Sequence, residues 1–111
     1  MTLSFRDFSE MNAARRAEQA GGGTEESWHL TEWTNALAGE AGELCNLAKK
    51  TRRARPSDPT LEDSKEAIAH ELADIVTYAD IIASKLDIDL GEVIREKFNI
   101  VSDRVGSKFK L

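Results

Sequence analysis

The stretch LTEWTNALAGEAGELCNLAKKTRR, residues 30–53, decides the fold. At about 100° per residue, Leu37, Leu44 and Leu47 fall within roughly 40° of Trp33 and draw one apolar stripe along a helix. Glu40 lies inside that stripe, at about −20° from Trp33. A carboxylate on a core-facing stripe is costly unless something pairs with it. Glu43 follows at i+3, on the same side of the helix. A second pair with the same spacing, Glu71-x-x-Asp74, occurs further along the chain. Four oxygen-bearing groups that converge from two helices would suit a hard divalent cation such as Mg²⁺. The chain reads as a metal-dependent enzyme.

Outward from this stretch the sequence divides into helices. Thr31 or Ser27 is the expected cap of the helix over 30–53, and the cationic run from Lys49 to Arg55 suits its C-terminus. Pro56 and Pro59 break the chain before a third helix over 60–86, started by Thr60 or Asp58. Its apolar positions are Ile68, Leu72, Ile75, Val76, Ala79, Ile82, Ala83 and Leu86. Ile81 lies on the far side, which widens the apolar arc to roughly 200° or more, and a helix covered on two sides suggests a partner subunit. Asp89-Leu90-Gly91-Glu92 has the form of a capping box and opens a last helix carrying Val93, Ile94, Phe98 and Val101. Gly106 is expected to end it. Before residue 30, positions 5–20 form a first helix rich in Ala, Arg and Glu, and Gly21-Gly22-Gly23 makes a joint. The expectation is one all-α domain over 1–111, a bundle of about four helices with the acid pairs on the second and third, assembled as a homo-oligomer.

Composition narrows the partners. The 111 residues carry a net charge of −5, which argues against binding a nucleic acid polymer, since that needs a basic surface. A small anionic ligand remains compatible if a metal bridges it to the carboxylates. No apolar run approaches the ~18 residues of a membrane span, and Arg6, Asp7 and Glu10 interrupt the N-terminus in a way no signal peptide does. Cys45 is the single cysteine; it reads as a buried structural thiol in a reducing, cytoplasmic compartment. Two other motifs carry little. Glu26-x-x-His29 is half of a di-iron pattern that requires a second copy. Asp87-x-Asp89 lacks the glycine and the twelfth-position glutamate of a calcium loop.

Ala38-Gly39-Glu40-Ala41-Gly42-Glu43-Leu44, followed by His70-Glu71-Leu72-Ala73-Asp74-Ile75, resembles the MazG-like nucleotide pyrophosphohydrolases. These are all-α NTP pyrophosphohydrolases related to dimeric dUTPases and dCTP pyrophosphatases. Glu96-Lys97-Phe98-Asn99 with Arg104 is similar to that family's last helix, and the resemblance covers a catalytic core over about 28–106. It implies Mg²⁺-dependent cleavage of a nucleoside triphosphate between the α and β phosphates, with Mn²⁺ as a substitute, in a homodimer or dimer of dimers. By the same resemblance Glu40, Glu43, Glu71 and Asp74 are metal ligands, and Glu40 or Glu43 is the alternative base toward water. Lys97, Asn99 and Arg104 are implied phosphate contacts. Tyr78, Trp28 and Trp33 are implied contacts to base or sugar, with Trp33 weighted toward the core. Lys50 or Arg53 could reach the triphosphate from the rim. Phosphoribosyl-ATP pyrophosphohydrolase is the rival enzyme. The rival of another class is a non-catalytic helical dimer that binds a nucleotide or a protein.

Overall fold

The computed structural model describes residues 2–20, 28–53 and 55–111. Among these residues there are four helices and no strand: α1 (Phe5–Ala20), α2 (Leu30–Arg52), α3 (Leu61–Lys85) and α4 (Leu90–Arg104). The glycine joint at 21–23, Ser27 and the Glu26 half of the di-iron pattern lie outside the described residues. None of the described helices is long and apolar enough to cross a membrane.

Local chemistry sets each helix end. The cap of α2 is His29 rather than Thr31: its Nδ1 accepts the Thr31 N–H at 3.2 Å, while the Glu32 carboxylate accepts the His29 N–H at 2.9 Å. A ring nitrogen can close the box because it too is an acceptor. Thr60 caps α3 in a reciprocal box with Asp63, both bonds at 3.1 Å. Asp89 caps α4 by accepting the Glu92 N–H at 3.1 Å, whereas the Glu92 side chain lies 3.9 Å from Arg95. That cap is half the expected box. Both α3 and α4 close in Schellman motifs. Ile88 N–H reaches Ala83 O at 2.8 Å around Asp87, and Ser107 N–H reaches Ser102 O at 2.8 Å around Gly106. The turning residues have φ of 54° and 70°, the left-handed conformation that such an ending requires.

α2 and α3 form a helical hairpin, the main packing unit of the chain. Arg53 closes its turn by a two-pronged pair with Asp58, Nη2 to Oδ1 at 2.8 Å and Nε to Oδ2 at 3.3 Å. The guanidinium holds the Asp58 carboxyl below its ordinary range. Arg53 therefore fixes a loop, and Asp58 belongs to that turn, not to the start of α3. α1 lies on α3, and α4 touches α1 where a side chain at Gly91 would stand 3.5 Å from Phe5 Cβ.

Among the described residues Trp33, Ile81 and Ala83 are the buried apolar ones. Ile81 is on the packed face of α3, while Leu72 and Val76 remain 51% and 42% exposed. The face centre is thus rotated from the stripe counted in sequence, because α3 is gripped by α2 on one side and α1 on another. Cys45 is exposed: it follows Leu44 by one position, and the 100° step carries it off the stripe.

Candidate functional site

Glu40 and Glu43 project from α2 one turn apart, and Glu71 projects from α3. Glu40 and Glu71 sit at similar distances on either side of the Arg53–Thr60 turn, so hairpin packing brings them level. Carboxylate oxygens of Glu40, Glu43 and Glu71 lie within 4.8 Å of one another. Proximity to the Glu40 carboxylate, then lost hydration, then the Glu43 carboxylate push the Glu71 carboxyl up to about 7. Carboxylates this close favour sharing a proton over standing ionised side by side. Glu71 Oε2 is enclosed and has no hydrogen-bond donor among the described residues.

Three carboxylates, one with a buried oxygen lacking a donor, fit a hard divalent cation. Oxygens at about 2.1 Å from one Mg²⁺ stand roughly 3–4 Å apart, and Glu43, the exposed member, can rotate to close the remaining distance. Asp74, expected as the fourth ligand, is outside this cluster. It lies one turn beyond Glu71 on α3, is exposed, and opens with Glu40 onto an adjoining cleft.

That cleft has a volume of ≈ 270 Å³ and is bordered by residues of α1, α2 and α3, with Trp28 just ahead of α2. Trp28, Trp33 and Tyr78 line it. The two indoles have centroids 4.7 Å apart and a tilt of 52°; Tyr78 stands 6.2 Å from Trp33. Trp33 is 2% exposed, so it is both core and cleft wall, and its Nε1 has no acceptor among the described residues. Lys85 Nζ lies 5.7 Å above the Trp33 ring, within cation–π range.

The implied phosphate contacts do not border the cleft. Asn99 holds the chain end instead: Nδ2 donates to Leu111 O at 3.2 Å and Oδ1 accepts the Leu111 N–H at 2.9 Å. Nearby, Lys110 pairs with Asp103. Lys97 and Arg104 are exposed on α4. Lys50 is ten residues beyond Glu40 on α2, about 15 Å along the axis, where its charge acts on Asp58. His70 is exposed, and His29 is accounted for as a helix cap.

Asn12, Arg15, Arg16 and Gln19 of α1 do line the cleft, and sequence reasoning passed over them. Asn12 Nδ2 donates to Asp80 Oδ2 at 2.9 Å and to Thr77 O at 3.2 Å, with Asn12 and Asp80 only 4% and 3% exposed. Arg16 Nη2 donates to Ser84 Oγ at 3.4 Å. The available signal was a polar stripe, Asn12-Arg16-Gln19 at helical spacing, on a helix with hardly any apolar face.

No family model matches the chain, and no solved structure matches it. A curated relative, the Gene 37 protein of Mycobacterium phage L5, is 32% identical over 75 residues. The aligned stretch covers 68% of this chain and 65% of the relative, so the chain spans just under two thirds of that protein's length.

Proposed function

We propose that this chain is a divalent-metal-dependent nucleoside triphosphate pyrophosphohydrolase, which cleaves between the α and β phosphates to release a monophosphate and pyrophosphate. One observation carries the reading: Glu40, Glu43 and Glu71 gather within 4.8 Å at a cleft walled by two indoles and a phenol, which Glu40 and Asp74 also line. The metal, when bound, neutralises phosphate charge and lowers the pKa of a bound water. Glu40, Glu43 and Glu71 would hold it, and the enclosed Glu71 Oε2 gains the positive partner that it lacks. Asp74, outside the cluster and open to the cleft, is positioned to orient water or a further ion. Trp28, 37% exposed, offers a face against which a base can stack, with the buried Trp33 behind it, and such contacts tolerate several bases. Tyr78 closes the aromatic wall. The aromatic lining favours an intact nucleotide as ligand, and the carboxylate cluster beside it is the reason to rank this reading above a non-catalytic helical module.

The test is pyrophosphate release from a panel of ribo- and deoxynucleoside triphosphates, with Mg²⁺ and with EDTA. Metal-dependent release of pyrophosphate together with the monophosphate is expected, and Glu43→Gln should abolish it in a folded protein. A folded wild-type chain that turns over no member of the panel sinks the proposal.

A further inference from the structure

α1 is the part of the molecule that the carboxylate pattern does not explain. It is nevertheless docked beside the cleft by buried polar contacts. Asn12 is buried, and its amide is spent on the equally buried Asp80 carboxylate and on the Thr77 carbonyl. One turn on, Arg16 reaches Ser84. The Asn12 contacts are satisfied in one register only, which sets how α1 lies on α3. The register sets Arg15, Arg16 and Gln19 on the cleft wall.

The charges that line the cleft are then unevenly sourced. Its acids, Glu40 and Asp74, come from α2 and α3; its lining cations, Arg15 and Arg16, both come from α1. A triphosphate keeps negative charge after one divalent ion has bound it, and the excess sits on the phosphates furthest from the metal. Guanidinium groups answer that need, because their planar forks match phosphate oxygens two at a time.

We infer that α1 supplies the triphosphate grip: Arg15 and Arg16 bind the β- and γ-phosphates, the half that departs as pyrophosphate, while the carboxylate cluster works beside the α-phosphate. This rests on the pyrophosphohydrolase reading. α1 thereby measures the length of the phosphate chain and sets the preference for triphosphates over diphosphates. Arg15 is exposed and its replacement leaves the Asn12–Asp80 layer intact, so it carries the test.

The experiment is calorimetric titration of inorganic tripolyphosphate with Mg²⁺ into the full chain, beside KM and kcat for the best nucleotide and its diphosphate. Arg15→Gln should weaken tripolyphosphate binding about tenfold, the loss expected for one charged hydrogen-bonded contact. It should raise KM more than it lowers kcat and narrow the gap between tri- and diphosphate. Arg15→Lys should recover part of the affinity. Arg16→Gln should act in the same direction, with its melting temperature checked because of the Ser84 contact. Arg6→Gln removes the same charge from α1 away from the cleft and should change neither binding nor kinetics. Wild-type affinity for tripolyphosphate in both Arg15→Gln and Arg16→Gln overturns the inference, as does a wild-type chain that does not bind tripolyphosphate. If no nucleotide turns over but the two variants still lose tripolyphosphate, the grip stands and the hydrolase reading falls.

Discussion

Glu71 is the residue whose chemistry most separates the folded from the unfolded chain. Its carboxyl rises from an ordinary 4.5 to about 7. Between those values the folded state keeps a proton that the unfolded state has lost, so stability falls as pH rises through this window and is flat above it. Without metal the melting temperature should therefore decline between about pH 4.5 and about 7, and Glu71→Gln should remove that component of the decline. A divalent ion competes with the same proton. Its thermal stabilisation should be larger above pH 7 than below, and a shift independent of pH would count against metal binding at this cluster. Asp87 is a second residue under local tension, at φ 54° in the turn that ends α3. Glycine accepts that conformation without steric cost, so Asp87→Gly should stabilise by about 0.5–1 kcal/mol in urea unfolding.

At the scale of elements, α2 and α3 owe their limits to capping and α1 owes its place to buried polar contacts. Thr60→Ala removes the Oγ1 that accepts the Asp63 N–H and leaves the backbone half of the α3 box; it should cost about 1 kcal/mol, read as a lower urea midpoint. Asn12→Leu is a different lesion. It leaves the buried Asp80 carboxylate without its amide donor, a loss of about 2–3 kcal/mol, and it should raise hydrogen exchange throughout α1. If α1 amides stay as protected as in the wild type, the Asn12–Asp80 bond is not what docks this helix. α2, α3 and α4 were legible in the sequence because an apolar periodicity specified each one, and α1 because helix-forming residues run unbroken up to the glycines at 21–23. The caps were less legible: the acceptor at residue 29 is an imidazole, which cap preferences rank low, and only its geometry shows the bond.

The whole chain is open for its size. A 12.3 kDa protein that folds compactly exposes about 6,100 Å², whereas this chain exposes 8343 Å². Its radius of gyration is 17.3 Å against about 13 Å for a compact domain of this length. The excess of roughly 2,000 Å² is interface-sized, and much of it is apolar. Leu3, Phe5, Phe8, Leu72 and Val76 border a groove of ≈ 390 Å³ between α1 and α3, and Phe98 and Ile100 of α4 are 44% and 56% exposed. The chain is expected to sediment as a dimer or larger. Leu72→Glu, which sets a charge in that groove, should shift it toward monomer and lower its melting temperature. A monomeric wild type would refute the expectation.

Sequence alone determined what depends on neighbours along the chain. The helical class, the approximate limits of all four helices, the side of α2 that carries Trp33 and Glu40, and the i, i+3 carboxylate pairs all follow from a 3.6-residue period and from proline and glycine punctuation. Tertiary structure decided what depends on distance across helices. It gathered Glu40, Glu43 and Glu71 and left Asp74 on the cleft, since the crossing of α2 over α3 fixes which turns come level. It rotated the packed face of α3 to include Ile81, and the step from Leu44 took Cys45 to the surface. It tied Asn99 to Leu111 and set Arg15 and Arg16 in the cleft. The polar spacing within α1 marked a stripe but not what it faces, because the Asn12–Asp80 contact that places it joins residues 68 positions apart.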